Sequence, residues 1–349
     1  MPPFVPAARA GHAVTLILGI ETSCDDTCAA VITDAGEVRS NVISSQGIHD
    51  AYGGVVPEIA SRHHLELANA AIDDALRRAG ATLDDIDRVA VTQGPGLVGA
   101  LLVGVATAKA IAAARRLALV PVDHLQGHVA ANFLLDDGGG GQPTMDPPFV
   151  CLVASGGHTL LARADDRSSF TVLGRTLDDA AGEAFDKGAR LLGLPFPGGP
   201  ALERLARDGD PGAFEFPVAR GVGGLDFSFA GVKTALLYRV RELGEAELGE
   251  RAADLAASYQ YAIVTALVER CERALHDTEL DRLAIGGGVA ANGPLRERLG
   301  ALGATVGIPA RELCTDNAAM IASAARFADA RPFPEYLALD AYASGERAL

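Results

Sequence analysis

FVCLVASGGHTLLARADD (Phe149–Asp166), then RSSFTVLGRTL, then DDAAGEAF (Asp178–Phe185) is the stretch from which the rest of the chain can be read. The apolar run Phe149 to Ala154 predicts a strand buried on both faces; it stops at Ser155-Gly156-Gly157-His158-Thr159, and a second apolar run returns. Two adjacent glycines remove the Cβ atoms that would hold a ligand off the backbone. They also permit positive φ, which would let successive N–H groups converge on one anion. The loop is therefore a phosphate cradle or an ordinary glycine hairpin, and its surroundings have to decide between them.

Working outward, the same order of elements stands at the start of the chain. Thr15 to Ile20 is apolar and β-favouring, Glu21-Thr22-Ser23-Cys24-Asp25-Asp26-Thr27 is a polar turn, Cys28 to Ile32 is apolar again, and Asp34-Ala35-Gly36 leads into Val38 to Ser44. Strand, polar turn, strand, turn, strand recurs from Phe149 through Asp165-Asp166 to Phe170–Leu173. The expectation is an α/β protein of two duplicated lobes facing each other across a central cleft, each aiming a turn at one ligand. The boundaries expected are an unstructured extension over 1–14, a first lobe over 15–135, a Gly-rich flexible linker over 136–148 and a second lobe over 149–349. The C-terminal helix is expected to pack back on the first lobe.

Composition sets limits. With 349 residues, 49% of them hydrophobic, the chain can bury a large core and exceeds the usual size of one domain. Five cysteines, an odd number without a CxxC pair, do not form a disulfide framework, so a reducing compartment, the cytoplasm, is expected. Met1 to Ala13 has no apolar core of the signal-peptide kind. Gly96 to Ala114 is apolar but carries Thr107 and Lys109, which predicts a packed core helix rather than a membrane span. A formal net charge of −15 argues against a chain that holds nucleic acid by its own electrostatics.

Between the lobes' opening units, Glu58 to Gly80 has helical periodicity and ends on a C′ glycine. Ile86 to Thr92 and Leu117 to Val122 read as strands around the small-residue helix. His124-Leu125-Gln126-Gly127-His128 follows: on a helix, positions i and i+4 share a face about 5–6 Å apart, so two imidazoles can hold one cation, or both can be surface residues. Leu125 occupies the place where a metalloprotease HExxH motif needs its glutamate. Asp178 to Leu192 predicts a helix whose Asp179, Glu183 and Asp186 form a solvated face or a site wall, running into Pro195-Phe196-Pro197-Gly198-Gly199-Pro200. Leu255 to Leu275 is a long helix feeding the buried strand Leu283–Ile285, the triple glycine Gly286–Gly288 and Val289–Asn292, a close backbone approach without GxGxxG spacing. In Cys314-Thr315-Asp316-Asn317, Thr315 or Asp316 either caps the last helix or, as Asp316, supplies a third metal ligand.

Ten motifs in order, GIETSCDD (Gly19–Asp26), YGGVVPEIASRHH (Tyr52–His64), GPGLVGALLVG (Gly94–Gly104), HLQGH, LVASGGHT, DDAAGEAFDK (Asp178–Lys187), FPGGP, LDFSFAGVKT (Leu225–Thr234), GGGVAAN and CTDNAAMIA, resemble the universal tRNA threonylcarbamoyltransferase family, TsaD, once labelled O-sialoglycoprotein endopeptidase. The resemblance runs from about Leu16 to Ala325. It implies the actin/hexokinase/Hsp70 (ASKHA) fold and transfer of a threonylcarbamoyl group from threonylcarbamoyl-AMP to the N6 amine of the adenosine 3′ of the anticodon, in tRNAs reading codons that begin with A.

Carried over residue by residue, the resemblance implies metal ligands His124, His128 and Asp316 for one divalent ion, iron before zinc. It implies substrate contacts from Val153, Ala154, Ser155, Gly156 and Gly157, nucleotide contacts from Asp186, Gly199 and Asn292, joined by Glu203, and a catalytic or metal-proximal role for Asp25. Gln126 stands where relatives often have glutamate and Asp26 where they often have it too; the first is expected to weaken an outer contact to the histidines. Implied partners are tRNA, a TsaB-like inactive paralogue forming a heterodimer on the first lobe, and a TsaE-like P-loop ATPase, with no membrane. An ASKHA ATPase or kinase, which has no use for the histidine pair, and a metal-dependent glycopeptidase are the alternatives.

Overall fold

The computed structural model describes residues 14–135 and 145–343. Two five-stranded sheets have one topology. In the first, β1 (Leu16–Glu21) pairs antiparallel with β2 (Asp26–Thr33) and β2 with β3 (Val38–Ser45); helix α1 (Pro57–Ala79) then leads to β4 (Arg88–Gly94), parallel to β1, and α2 (Val98–Arg115) to β5 (Ala118–Asp123), parallel to β4. After the short α3 (His124–Ala130), the second sheet repeats this. β6 (Phe149–Ala154), β7 (Thr159–Ala164) and β8 (Thr171–Arg175) form the antiparallel meander; α4 (Ala181–Leu191), α5 (Gly198–Ala206) and α6 (Ala230–Thr278, interrupted at Gly244) intervene before β9 (Arg282–Gly286), parallel to β6. Helix α7 (Gly293–Gly300), β10 (Thr305–Gly307), α8 (Arg311–Cys314) and α9 (Ala318–Ala325) complete the order. The sheet orders are β3-β2-β1-β4-β5 and β10-β9-β6-β7-β8. The duplication expected from the two meanders is thus present strand for strand.

The period of two in the strands explains the layering. In β6, Val150, Leu152 and Ala154 enter one core with Phe185, Leu202 and Tyr259 from the helices outside the second sheet. Phe149, Cys151 and Val153 enter another, together with Ile17, Cys28 and Ala30 of the first sheet and Leu125, Met320 and Ile321 of α3 and α9. A third core lies between the first sheet's outer face and α1 and α2. The two sheets therefore share a central layer. That layer is built from small residues because it is thin: a Cβ on Gly19 would stand 2.3 Å from the Ala318 carbonyl oxygen, and one on Gly127 would stand 2.8 Å from Ile321 Cδ1.

Helix α2 is long and apolar enough, by length and composition, to cross a bilayer, so Thr107 and Lys109 do not exclude a span as expected. It packs on α1 and β4, with Ala108 and Ala112 fully buried. Lys109 Nζ donates to the carbonyls of Leu337 (3.1 Å) and Leu339. Those carbonyls belong to a C-terminal segment that returns over the first sheet, pairing Leu119 with Arg331 and tying Tyr342 N–H to the Gln93 carbonyl at 3.1 Å. The expected extension (1–14) and linker (136–148) fall almost wholly outside the described residues; within the latter, Met145 is buried and its N–H meets the Asn132 carbonyl at 3.0 Å.

Candidate metal centre and adjoining cleft

His124 and His128 are brought to one place by a helix start that the sequence dictates locally. Asp123 ends β5 and caps α3, its Oδ1 accepting from the N–H groups of Leu125 (2.9 Å) and Gln126 (3.2 Å); such a cap contributes about 1 kcal/mol. Its Oδ2 accepts from the Tyr342 hydroxyl at 2.5 Å, so the C-terminal segment braces the cap. Both histidines point into the central layer, their rings 4.7 Å apart between centroids. Across from them, Asn317 caps α9 by accepting from Met320 N–H at 2.9 Å. The cap is therefore neither Thr315 nor Asp316, and the Asp316 carboxylate is left to face the imidazoles.

Asp316 Oδ1 lies 3.5 Å from His124 Nε2 and 3.3 Å from His128 Nε2, and one ligand atom from each of the three residues falls within 4.8 Å of the others. Among the described residues, neither nitrogen of the buried His128 ring makes a hydrogen bond of good geometry, although Nε2 stands 3.3 Å from Asp316 Oδ1. Unsatisfied buried polar atoms are rare in native proteins. Here they converge with a carboxylate and a second imidazole, a borderline donor set suited to a divalent transition ion. The cluster fits a metal.

The charges agree. Burial opposes it, but the carboxylates of Asp316 and Glu21 hold the His124 imidazole above its ordinary 6.5, at about 9. Burial keeps His128 below its ordinary value, and burial with the two neighbouring imidazoles pushes His158 down to about 4. Against the effect of its own burial, Asp316 is held well below the usual carboxylate range by those imidazoles. Glu21 was not singled out in the sequence, yet its buried carboxylate accepts from His124 Nδ1 at 3.0 Å. Gln126, expected to stand beside the histidines, instead directs its amide to the Arg167 carbonyl at 3.4 Å.

Next to the cluster, a cleft of about 570 Å³ is lined by residues of both halves of the chain: Asp25 and Asp26 from the first turn, Gly156 and Gly182, Asp186, Gly199, Glu203, Asn292, and Thr315 beside Asp316. Six of the sequence-derived site residues, Asp25, Gly156, Asp186, Gly199, Glu203 and Asn292, thus line one cleft. Val153 and Ala154 are buried in β6, and Ser155 and Gly157 are not among the lining residues.

The glycine loop departs from expectation in detail. Neither Gly156 nor Gly157 has a positive φ. The turn is closed by Ser155 N–H to the His158 carbonyl (2.8 Å) and His158 N–H to Ser155 Oγ (3.1 Å). Open space, not backbone strain, is what these two glycines provide, since a Cβ on either would meet nothing within 4 Å. Close approach is instead required of Gly182, whose Cβ would stand 2.5 Å from the Ser155 carbonyl oxygen, and of Gly287 (φ +86°), whose Cβ would stand 2.3 Å from that of Ala154.

The helix expected from Asp178 begins only at Ala181, so Asp179 precedes α4, where it pairs with Lys187 (2.9 Å) and Lys233 (2.5 Å); within α4, Glu183 pairs with Lys187 (2.7 Å). Asp186 alone turns to the cleft, its Oδ1 accepting from Gly198 N–H (2.8 Å) and Gly199 N–H (3.3 Å). Burial raises its pKa. Asn292 caps α7 and donates to Gln260 (2.8 Å) and Glu203 (3.2 Å). Gln260, which fixes that corner, sits inside the periodic run of α6 and carries no motif by which sequence reading could have found it.

The family model described as TsaD, tRNA N6-adenosine threonylcarbamoyltransferase, matches residues 37–323. A protein of that name from Symbiobacterium thermophilum is 53% identical over 314 residues, covering 88% of this chain and 90% of the relative. Another, from Anaeromyxobacter dehalogenans (strain 2CP-1), is 53% identical over 318 residues, covering 89% and 93%. Component A of the (R)-2-hydroxyglutaryl-CoA dehydratase of Acidaminococcus fermentans has a TM-score of 0.53 at 14% identity, covering 90% of this chain and 97% of that one. This last likeness is one of fold, the actin-like ASKHA architecture.

Proposed function

The chain belongs to the tRNA N6-adenosine threonylcarbamoyltransferase family, and from that membership we propose how its residues carry out threonylcarbamoyl transfer to the N6 amine of adenosine in tRNA. The observation that carries the account is the convergence of His124, His128 and Asp316 beside a cleft lined from both lobes. The ATPase or kinase and glycopeptidase alternatives fall away with the family.

The substrate is a mixed anhydride, so its AMP is already a good leaving group and no covalent enzyme intermediate is needed. The bond that forms joins N6 to the carbamoyl carbon; the bond that breaks joins that carbon to a phosphate oxygen, and the electron pair leaves with AMP. His124, His128 and Asp316 would hold a divalent ion, iron in our reading, which would supply Lewis acidity at this end of the cleft. Of the segment Val153–Gly157, Gly156 on the cleft wall is the part that would meet the phosphate and carbamoyl end, with the buried Val153 and Ala154 positioning the loop behind it. A group that stabilises the developing oxyanion lowers the barrier by about 3–4 kcal/mol. Asp186, with one oxygen committed to Gly198 and Gly199, offers the other to a ribose hydroxyl. Gly199, Glu203 and Asn292 form the nucleotide end. Asp25, on the cleft wall, takes the proton that N6 loses. Most of the acceleration is positioning, as suits a weakly nucleophilic aryl amine.

The lobes are read as residues 15–135 and 149–349, joined through 136–148. All five cysteines are unpaired, which supports the cytoplasm. A TsaB-like paralogue is assigned to the first lobe, where α1 and α2 cross at Ser61 and Gly99. There Leu65 (66% exposed) and Leu102 (45%) are uncovered, each one turn from the crossing. A TsaE-like ATPase completes the assembly, and the chain's acidity is why tRNA is held by the complex rather than by this subunit alone. The test is single-turnover transfer from synthetic threonylcarbamoyl-AMP by Asp25→Asn with metal content verified. A rate at least 100-fold lower at unchanged metal occupancy is expected; wild-type turnover would remove Asp25 from the mechanism.

A further inference from the structure

Glu21 ends β1 with its side chain fully buried, and every group it touches is a donor. One carboxylate oxygen accepts from Ser23 N–H. The other accepts from the Thr92 hydroxyl at 2.5 Å and from His124 Nδ1 at 3.0 Å. A position surrounded by donors on both oxygens needs an acceptor-only group, and at this length an ionised glutamate is the side chain that provides one. Glutamine with its oxygen toward Ser23 N–H would present its amino group to Thr92 Oγ1 and His124 Nδ1, which could accept only by reversing the hydroxyl and keeping the imidazole proton on Nε2. Turned the other way, it would set the amino group against Ser23 N–H. With Nδ1–H held by Glu21, Nε2, 3.5 Å from Asp316 Oδ1, is the nitrogen that gives up its proton when a metal binds.

We propose that Glu21 is the positioning residue of the metal centre, fixing the tautomer and ring plane of His124. The inference rests on the reading of His124, His128 and Asp316 as metal ligands. A carboxylate behind a ligating imidazole raises its basicity and fixes its orientation, and losing such a partner weakens metal binding by about 10–100-fold. The centre is asymmetric: Glu21, with Ser23 Oγ at 3.2 Å, holds His124 Nδ1, whereas among the described residues His128 Nδ1 has no hydrogen-bond partner and its ring is buried. Because the same carboxylate accepts from Ser23 N–H, it also ties the ligand to the turn that carries Asp25 onto the cleft wall.

The test is Co²⁺ titration of the full chain against a competing chelator, with the visible ligand-field spectrum recorded, for wild type, Glu21→Gln, His124→Ala and the double variant. Glu21→Gln is expected to weaken Co²⁺ about 10–100-fold and shift the bands, while adding it to His124→Ala changes the affinity no further. Unchanged affinity and spectrum in Glu21→Gln would overturn the inference, as would losses that multiply in the double variant, since Glu21 would then act on the fold rather than through His124. If Glu21→Gln does not fold, Thr92→Val takes its place, removing one donor from the same oxygen, with the same requirement that its effect vanish in the His124→Ala background. A wild type that binds no Co²⁺ would refute the metal reading itself, and the inference with it.

Discussion

Replacing Gly182 by alanine displaces the glycine loop without touching a proposed ligand. The built Cβ stands 2.5 Å from the Ser155 carbonyl oxygen and 2.8 Å from Gly156 N and Cα, and these are backbone atoms that cannot swing aside. Ordinary contact begins at 3.4 Å, so α4 and the loop must separate by the difference, 0.9 Å. The Gly182 N–H bond to that carbonyl, now 3.1 Å, is stretched as well. Overpacking of this kind destabilises by about 1–3 kcal/mol. A shift near 1 Å in a positioned group lowers the rate by about 100-fold.

The assay is kcat/KM for transfer with synthetic threonylcarbamoyl-AMP, alongside thermal unfolding and Co²⁺ affinity. The metal ligands sit on α3 and before α9, so metal affinity is expected to hold while turnover falls. Gly156→Ala is the contrast, since Gly156 lines the cleft and its Cβ would meet nothing within 4 Å. It is expected to keep wild-type stability and lose adenylate binding, because the added methyl fills cleft space that the proposed substrate needs. A folded Gly182→Ala protein with wild-type kcat/KM would refute the placement of the loop against the substrate.

Two further outcomes follow from the charges. Burial, opposed by a bond from Ser45 and reinforced by the nearby carboxylates of Asp316, Asp25 and Glu21, raises Asp26 from its ordinary 3.8 to about 7. The folded metal-free chain then holds a proton that the unfolded chain has released. Stability from this group is full below its ordinary value and falls as pH rises through about 7, by about 2 kcal/mol between pH 5 and pH 7; urea midpoints across that range should flatten in Asp26→Asn, and an unchanged slope would contradict the assignment. Metal uptake at neutral pH should release about one proton, because the metal-free His124 imidazole stays protonated up to about 9 and must free Nε2 to bind. Calorimetry in buffers of different ionisation enthalpy measures this, and zero release would contradict a protonated His124 in the metal-free chain.

Much of the architecture is legible in local pattern. The two strand–turn–strand–turn–strand units at Leu16 and Phe149 announce the duplication, because a period of two and turn residues are properties of short windows. Asp316 could be offered as a third ligand to the HxxxH pair, but a local window could not decide this against a capping role, since residues 124 and 316 are joined by tertiary packing alone. Glu21 escaped notice because an acidic residue at a strand end normally reads as exposed; that it is buried depends on Ser23, Thr92 and His124 closing around it. The shared central layer was equally hidden. Alternating apolar residues in β6 say that both faces are covered, but not that one of them is covered by the other lobe. Asn317 caps α9 where Thr315 or Asp316 was expected, because all three are good capping residues and a local window does not choose among them.

The most direct test of the account is threonylcarbamoyl transfer to unmodified tRNA by the purified chain with its partners, read by nucleoside mass spectrometry for wild type and Asp316→Ala. The account predicts threonylcarbamoyladenosine from the metal-loaded wild type, loss of that product on chelation with recovery on metal return, and none from Asp316→Ala despite a native fold. Wild-type yield from a folded, metal-free Asp316→Ala protein would contradict it.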